Sequence, residues 1–208
     1  MRKDNSVLND LEQKVLIESV GKVNEGTVTG AKQLVSPNFN DRPNGEVISL
    51  LVIHNISLPP RQFNTSCVED FFLNTLDIKR DPFFEQIAEL KVSAHLFIKR
   101  TGDITQFVNL NHRAWHAGIS CFKERENCND FSIGIEMEGT DDLPYEAVQY
   151  QVLAYLSCLI ERQYPAINTD STVGHCDIAP GRKTDPGESF DWQYYEKLKR
   201  FMSDKLAF

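Results

Sequence analysis

The chain has 208 residues, 41% hydrophobic and 25% charged, with a formal net charge of −8. That length suits one domain with a sizeable core. The acidic balance excludes partners held by bulk electrostatics, nucleic acid and anionic membranes among them, so an anionic ligand would need local Lys and Arg.

The most apolar run, around ISLLVIHNISL, stops short of the roughly 18–20 residues a bilayer span needs. The N-terminus opens basic, but Asp4, Asp10 and Glu12 interrupt any secretory hydrophobic region, so the expected location is cytoplasmic. The cysteines (Cys67, Cys121, Cys128, Cys158 and Cys176) are odd in number and lack the two-residue spacing of a zinc knuckle or redox pair. They read as reduced thiols.

Residues 1–20 read as an amphipathic helix, with Val7, Leu8, Leu11 and Val15 at helical spacing and Gly21 and Gly26 beyond its end. We expect a helical extension over 1–27 and a single domain over 28–208. EVISLLVIH, 46–54, is a β-branched apolar run of strand length that ends on His54. Two short helices are expected in SCVEDFFLNTL and DPFFEQIAEL. VSAHLFIKRTGDITQFV, 92–108, reads as a hairpin turning at Thr101-Gly102-Asp103. FSIGIEME, 131–138, is a second buried strand, closing on carboxylates. PYEAVQYQVLAYLSCLIERQY, 144–164, is the clearest helix, with Pro144 in its first turn and Pro165 after its end. DWQYYEKLKRFMSDKL forms a terminal amphipathic helix. Strands and helices mix without a strict βαβ rhythm, which predicts an α/β (mixed α+β) fold with a central mixed β-sheet flanked by helices.

Chemistry concentrates at four places. His54 ends one predicted strand, and Glu136 and Glu138 end another. His175 follows the short lead-in STV, and Asp185 lies ten residues on, in a loop stiffened by Pro180 and Pro186. Strand ends feed the crevice where sheet proteins build sites. Two histidines and a carboxylate suit zinc and leave a fourth position for water, whose pKa the metal lowers to about 7. Glu136 could then serve as the base and Lys183 as the oxyanion-stabilising cation. Spacing alone leaves the bland alternative open, that His54 and His175 are ordinary core or loop histidines. His95 reads as a satisfied buried histidine and His112 as a surface one. His116, beside Trp115, either lines a cleft or simply packs. Glu138 is either a second acid or an acceptor for backbone.

Five blocks, LLVIHNISLPP, VSAHLFIKRTGDITQFV, RAWHAGIS, CNDFSIGIEMEGTD and GHCDIAPGRKTDPG, occur in this order between about residues 28 and 200. Together they closely resemble the AmpD family of 1,6-anhydro-N-acetylmuramyl-L-alanine amidases. That family sits within the zinc amidases shared with phage amidases and peptidoglycan recognition proteins. The resemblance implies Zn2+ held by His54, His175 and Asp185, with Glu136 and Lys183 catalytic. It implies hydrolysis of the amide between the lactyl group of N-acetylmuramic acid and L-alanine, in peptidoglycan recycling, with β-lactamase induction restrained where that circuit exists. Asn55, Ala114, Trp115 and Arg182 lie in matching blocks as substrate contacts. The chain departs from the family at Lys91 and Asn127, where arginine is expected; Arg125 is a candidate substitute for the latter. The expected partner is a small-molecule anhydromuropeptide, with no nucleic acid and no membrane, acting on a monomer. The rival reading is a non-catalytic peptidoglycan-fragment-binding module on the same fold. The complete set of expected ligands, acid and lysine argues against it.

Overall fold

The computed structural model describes residues 19–206. The helix expected over residues 1–20 lies almost wholly outside them. A six-stranded mixed sheet forms the centre. Its strands are β1 (Lys32–Gln33), β2 (Leu50–Ile56), β3 (Leu96–Ile98), β4 (Ile104–Gln106), β5 (Ser132–Glu138) and β6 (Thr172–Gly174). Across the sheet the order is β6-β2-β5-β3-β4-β1. Only β3 and β4 pair antiparallel, as the hairpin expected around Gly102, which takes a φ of +88° at the turn. The other neighbours run parallel. No helix among the described residues is long and apolar enough to cross a membrane.

Strand β2 is apolar on both faces as far as His54, whereas β5 is apolar on one face and carries Ser132, Gly134, Glu136 and Glu138 on the other. Leu51, Ile53, Ile133, Ile135 and Met137 face the larger core. There they meet two helices, α2 (Ala147–Gln163) and α4 (Trp192–Leu206). Leu50 and Val52 face a smaller cluster with Ala117, Cys128, Phe131 and Ile178. The continuous apolar run of β2 is what a parallel strand covered on both faces requires. The expected strand over 46–54 begins later, at Leu50; Glu46 still closes the preceding turn, its N–H donating to the Pro43 carbonyl.

Helix α2 starts at Ala147, so Pro144 precedes it rather than occupying its first turn. Its N-terminus is set instead by Gln149, whose Oε1 accepts from the Glu146 N–H at 3.0 Å. The same buried amide donates to the carbonyls of Ile98 and Glu138, bolting the helix to β3 and β5. In α4, Asp191 caps the start by accepting from the Tyr194 N–H at 2.9 Å. The two helices then join through Tyr195 Oη, which donates to Ser157 Oγ at 2.8 Å. Of the two short helices expected between β2 and β3, the first is α1 (Cys67–Phe72) and the second is a 3-10 turn, Pro82–Gln86. Helix α3 (His175–Ile178) follows β6 directly.

Residues on both sides of the boundary expected at residue 27 make contacts with the sheet and its core. Val20 and Val28 are buried in the larger core, and Gln106 accepts from the Val28 N–H while donating to the Gly26 carbonyl.

Glu138 is a structural acceptor. It is 1% exposed, and its two oxygens accept from the Asn64 N–H at 2.6 Å and the Arg100 N–H at 3.0 Å. Glu138→Ala would strand both donors, and we expect a loss of about 3 kcal/mol in urea unfolding. A change within experimental error would show that water replaces the carboxylate at no cost.

Candidate metal centre

Strand register builds the site. In the β5–β2 pair, Glu136 stands opposite His54. In the β6–β2 pair, Gly174 stands opposite Ile53, so His175, one residue on, comes level with His54. Three adjacent parallel strands thus deliver His175, His54 and Glu136 to one edge of the sheet.

Asp185 arrives from the loop. The Cys176 N–H donates to the Asp185 carbonyl at 3.0 Å, closing the ten-residue excursion onto its own beginning. Within it the Arg182 and Lys183 N–H groups both donate to the Ala179 carbonyl. Gly181 and Gly187 take φ values of +76° and +84°, which other residues adopt only with strain.

His54 Nδ1, His175 Nδ1 and Asp185 Oδ2 form a triangle with sides of 3.0, 3.0 and 3.1 Å. This is the group of residues placed to hold a metal ion. Tetrahedral zinc with bonds of about 2.0–2.1 Å would set neighbouring ligand atoms roughly 3.3 Å apart. The hydrogen bonding behind the triangle fits a cation equally well. His175 Nε2 faces the Ala117 carbonyl at 3.1 Å, and a carbonyl only accepts. The His175 proton therefore sits on Nε2, and its Nδ1 lone pair points at the carboxylate and at His54.

Electrostatics agree. Burial lowers the His54 pKa to about 4, leaving the imidazole neutral near pH 7 and its ring free to present a lone pair. Burial alone would raise Asp185, but its contacts with the His175 and His54 rings outweigh it and keep the carboxyl well below its ordinary range. Glu136 behaves in the opposite way. Burial, reinforced by the charge of Asp185 and opposed by Lys183, pushes it well above 4.5. Its Oε2 is buried without a hydrogen-bond partner.

A cleft of about 680 Å³ opens over these groups. His54, Asn55, Glu136, His175, Arg182, Lys183 and Asp185 line it, and Phe71, Phe83, Ile87 and Val92 form an apolar wall. Asn55 Nδ2 donates to Asp141 Oδ1 at 2.8 Å. Arg182 is already engaged, donating to the carbonyls of Ala117 and Ile119 at 2.7 and 2.6 Å. Ala114 and Trp115 lie outside this lining. Ala114 is fully buried and pairs with Phe39, and Trp115 Nε1 donates to Asn40 Oδ1.

The remaining histidines divide as their surroundings dictate. His95 is buried, with its ring nitrogens between the Gly134 N–H and the His112 carbonyl. His112 is half-exposed beside Asp41. His116 does more than pack: its Nδ1 lies 2.9 Å from His54 Nε2. Nothing in the RAWHAG string alone points to that contact. The available signal is Gly134, a glycine inside a buried strand two residues before Glu136, because such a glycine marks a close approach. A Cβ there would stand 2.5 Å from the His116 ring.

Of the two departures, Asn127 has a local explanation and Lys91 has none in the structure. Asn127 takes φ 58° and ψ 55°, a left-handed conformation that asparagine tolerates better than arginine. Arg125 pairs with Glu46 and stacks 3.8 Å over the Phe131 ring, so it is committed elsewhere. Lys91 borders a separate, smaller cavity of about 310 Å³.

Comparison with known proteins agrees with this geometry. Residues 44–188 match the family model of N-acetylmuramoyl-L-alanine amidases. The 1,6-anhydro-N-acetylmuramyl-L-alanine amidase AmpD of Haemophilus influenzae is 51% identical over 179 residues, spanning 86% of this chain and 97% of that protein. A crystal structure of an AmpD derivative superposes with a TM-score of 0.83 at 50% identity, covering 85% of this chain and 98% of that one. The E. coli amidase AmiD, solved with its substrate anhydro-N-acetylmuramic acid-L-Ala-D-gamma-Glu-L-Lys, gives a TM-score of 0.54 at 28% identity, over 77% of this chain and 65% of that one. The chain belongs to the N-acetylmuramoyl-L-alanine amidase family.

Proposed function

We propose that the chain hydrolyses the amide between the lactyl group of 1,6-anhydro-N-acetylmuramic acid and L-alanine, with zinc held by His54, His175 and Asp185. The observation that carries this reading is the triangle of facing donors beside a buried, unpartnered carboxylate in one cleft. The names and the substrate complex of the relatives supply the substrate class.

When bound, zinc would activate a water at neutral pH and polarise the scissile carbonyl. Glu136 takes the water's proton on Oε2 and returns it to the departing alanine nitrogen. Its raised pKa suits both halves of that task, because a strongly acidic carboxyl would hold the proton too weakly to pass it on. Lys183, exposed on the rim of the cleft, donates from Nζ to the carbonyl oxygen as negative charge develops there. Asn55 and Arg182 contact the substrate from the lining. Ala114 and Trp115 support it from one layer back, since the Trp115 N–H donates to Ser93 Oγ and Ser93 faces the cleft. The apolar wall of Phe71, Phe83, Ile87 and Val92 offers a face for the sugar ring.

Anhydromuramyl tripeptide incubated with the zinc-loaded protein should yield free tripeptide and anhydro-sugar by mass spectrometry. A chelator or Asp185→Ala should abolish the products. Glu136→Gln should lower kcat by about 10²–10⁴-fold, and Lys183→Ala by about 10²–10³-fold. A folded, zinc-loaded wild type that binds the tripeptide without cleaving it would establish the binding-module reading instead.

The pH dependence has a definite sign. The active base is ionised Glu136, and burial disfavours that form. kcat/KM should therefore fall as pH drops through the Glu136 midpoint, which burial raises above the ordinary glutamate value and a bound cation would draw back towards it. A profile flat down to pH 4.5 would remove Glu136 from the role of base.

A further inference from the structure

The two histidines of the triangle are held from behind by one short segment. Asn129 Oδ1 accepts from the N–H groups of His116 and Ala117 at 3.1 and 2.8 Å, fixing both residues. The Ala117 carbonyl then receives His175 Nε2, and the His116 ring receives His54 Nε2. On its far side His116 Nε2 meets Ser132 Oγ at 3.0 Å. Both nitrogens of His116 are thereby occupied, so it has none to offer a substrate although it borders the cleft.

The two supports differ in kind. A carbonyl can only accept, so the proton of His175 is fixed outright. An imidazole nitrogen can donate or accept, so the proton of His54 depends on which way the His54–His116–Ser132 chain runs. If His116 carries its proton on Nδ1, it donates to His54 Nε2, and the His54 proton moves to Nδ1 inside the triangle, blocking a metal. If His116 carries its proton on Nε2, it donates to Ser132 Oγ. Its Nδ1 then accepts from His54 Nε2–H, and the His54 Nδ1 lone pair faces inward. Both imidazoles are neutral in either arrangement, so no proton is gained or lost.

We propose that His116 is a positioning residue of the metal centre: it accepts the His54 Nε2–H, with Ser132 as its own acceptor, and so holds His54 in the one tautomer that can bind a cation. Gly134 provides its seat, and the His95 ring packs against it with ring centroids 5.6 Å apart. This rests on the metal reading of the preceding section.

The test measures zinc affinity of metal-free protein by competition with a chromophoric chelator, alongside the melting temperature without metal. His116→Ala should weaken zinc binding by about 10–100-fold, the usual cost of losing such a partner. His116→Asn returns an amide oxygen near the former Nδ1 and should recover most of that loss. Ser132→Ala leaves the packing almost intact and should still weaken binding several-fold, which keeps the test available if His116→Ala does not fold. Wild-type affinity in a folded His116→Ala overturns the inference. Equal weakening by His116→Asn and His116→Ala also overturns it, since His116 would then serve packing alone. Failure of the wild type itself to bind zinc would overturn the metal reading instead.

Discussion

The site depends on the shared register of three parallel strands. β6, β2 and β5 run side by side, and their pairing alone sets His175, His54 and Glu136 level at one edge. A slip of one residue would turn every side chain of a strand to the opposite face. The alternation of Leu51 and Ile53 toward the helices with Leu50 and Val52 toward the smaller core opposes such a slip. The apolar residues that stabilise the domain are therefore also those that place the reactive groups.

Placement creates an electrostatic problem that shapes everything around it. His54 Nδ1, His175 Nδ1 and Asp185 Oδ2 converge within 3.1 Å, in a region largely shielded from water. Such convergence is unfavourable unless a cation occupies the centre. The outer hydrogen bonds, to Ala117 and His116, commit the histidines to that arrangement. Glu136 stands beside the same negative centre but contributes no atom to it. Burial, reinforced by the charge of Asp185, raises its proton affinity above that of an ordinary glutamate.

Much of this was legible in the chain. His54 and Glu136 close apolar runs of strand length, and His175 and Asp185 bracket a loop rich in glycine and proline, so their convergence at a strand-end crevice follows from general sheet architecture. What lay behind them was not legible. Ser132, Ala117 and Asn129 act through a hydroxyl, a main-chain carbonyl and an amide, and such groups occur in every loop without a distinguishing pattern. Helix α2 shows the same limit. Its apolar stripe is plain, but its start depends on Gln149 bonding back to Glu146 and across to two strands, a tertiary effect that overrides the helix-start preference of Pro144. Val20, before the boundary expected at residue 27, is likewise buried through contacts that only the folded sheet provides.

Rigidity is distributed unevenly across the cleft, and the distribution matches the division of labour. The triangle and Glu136 rest on strands or on a loop closed by the Cys176–Asp185 hydrogen bond, and each is surrounded by packed side chains. Lys183 sits exposed on the rim of the same loop, one residue after Arg182, whose guanidinium is tied to Ala117 and Ile119. A tethered Arg182 limits how far its neighbour can wander while leaving the Lys183 side chain exposed along the cleft. Arg182 also borders both the catalytic cleft and an adjoining cavity of about 710 Å³. Its two hydrogen bonds to the Ala117 and Ile119 carbonyls therefore hold in place a side chain that both spaces share, so the border between them is set by main-chain acceptors rather than by a loose guanidinium.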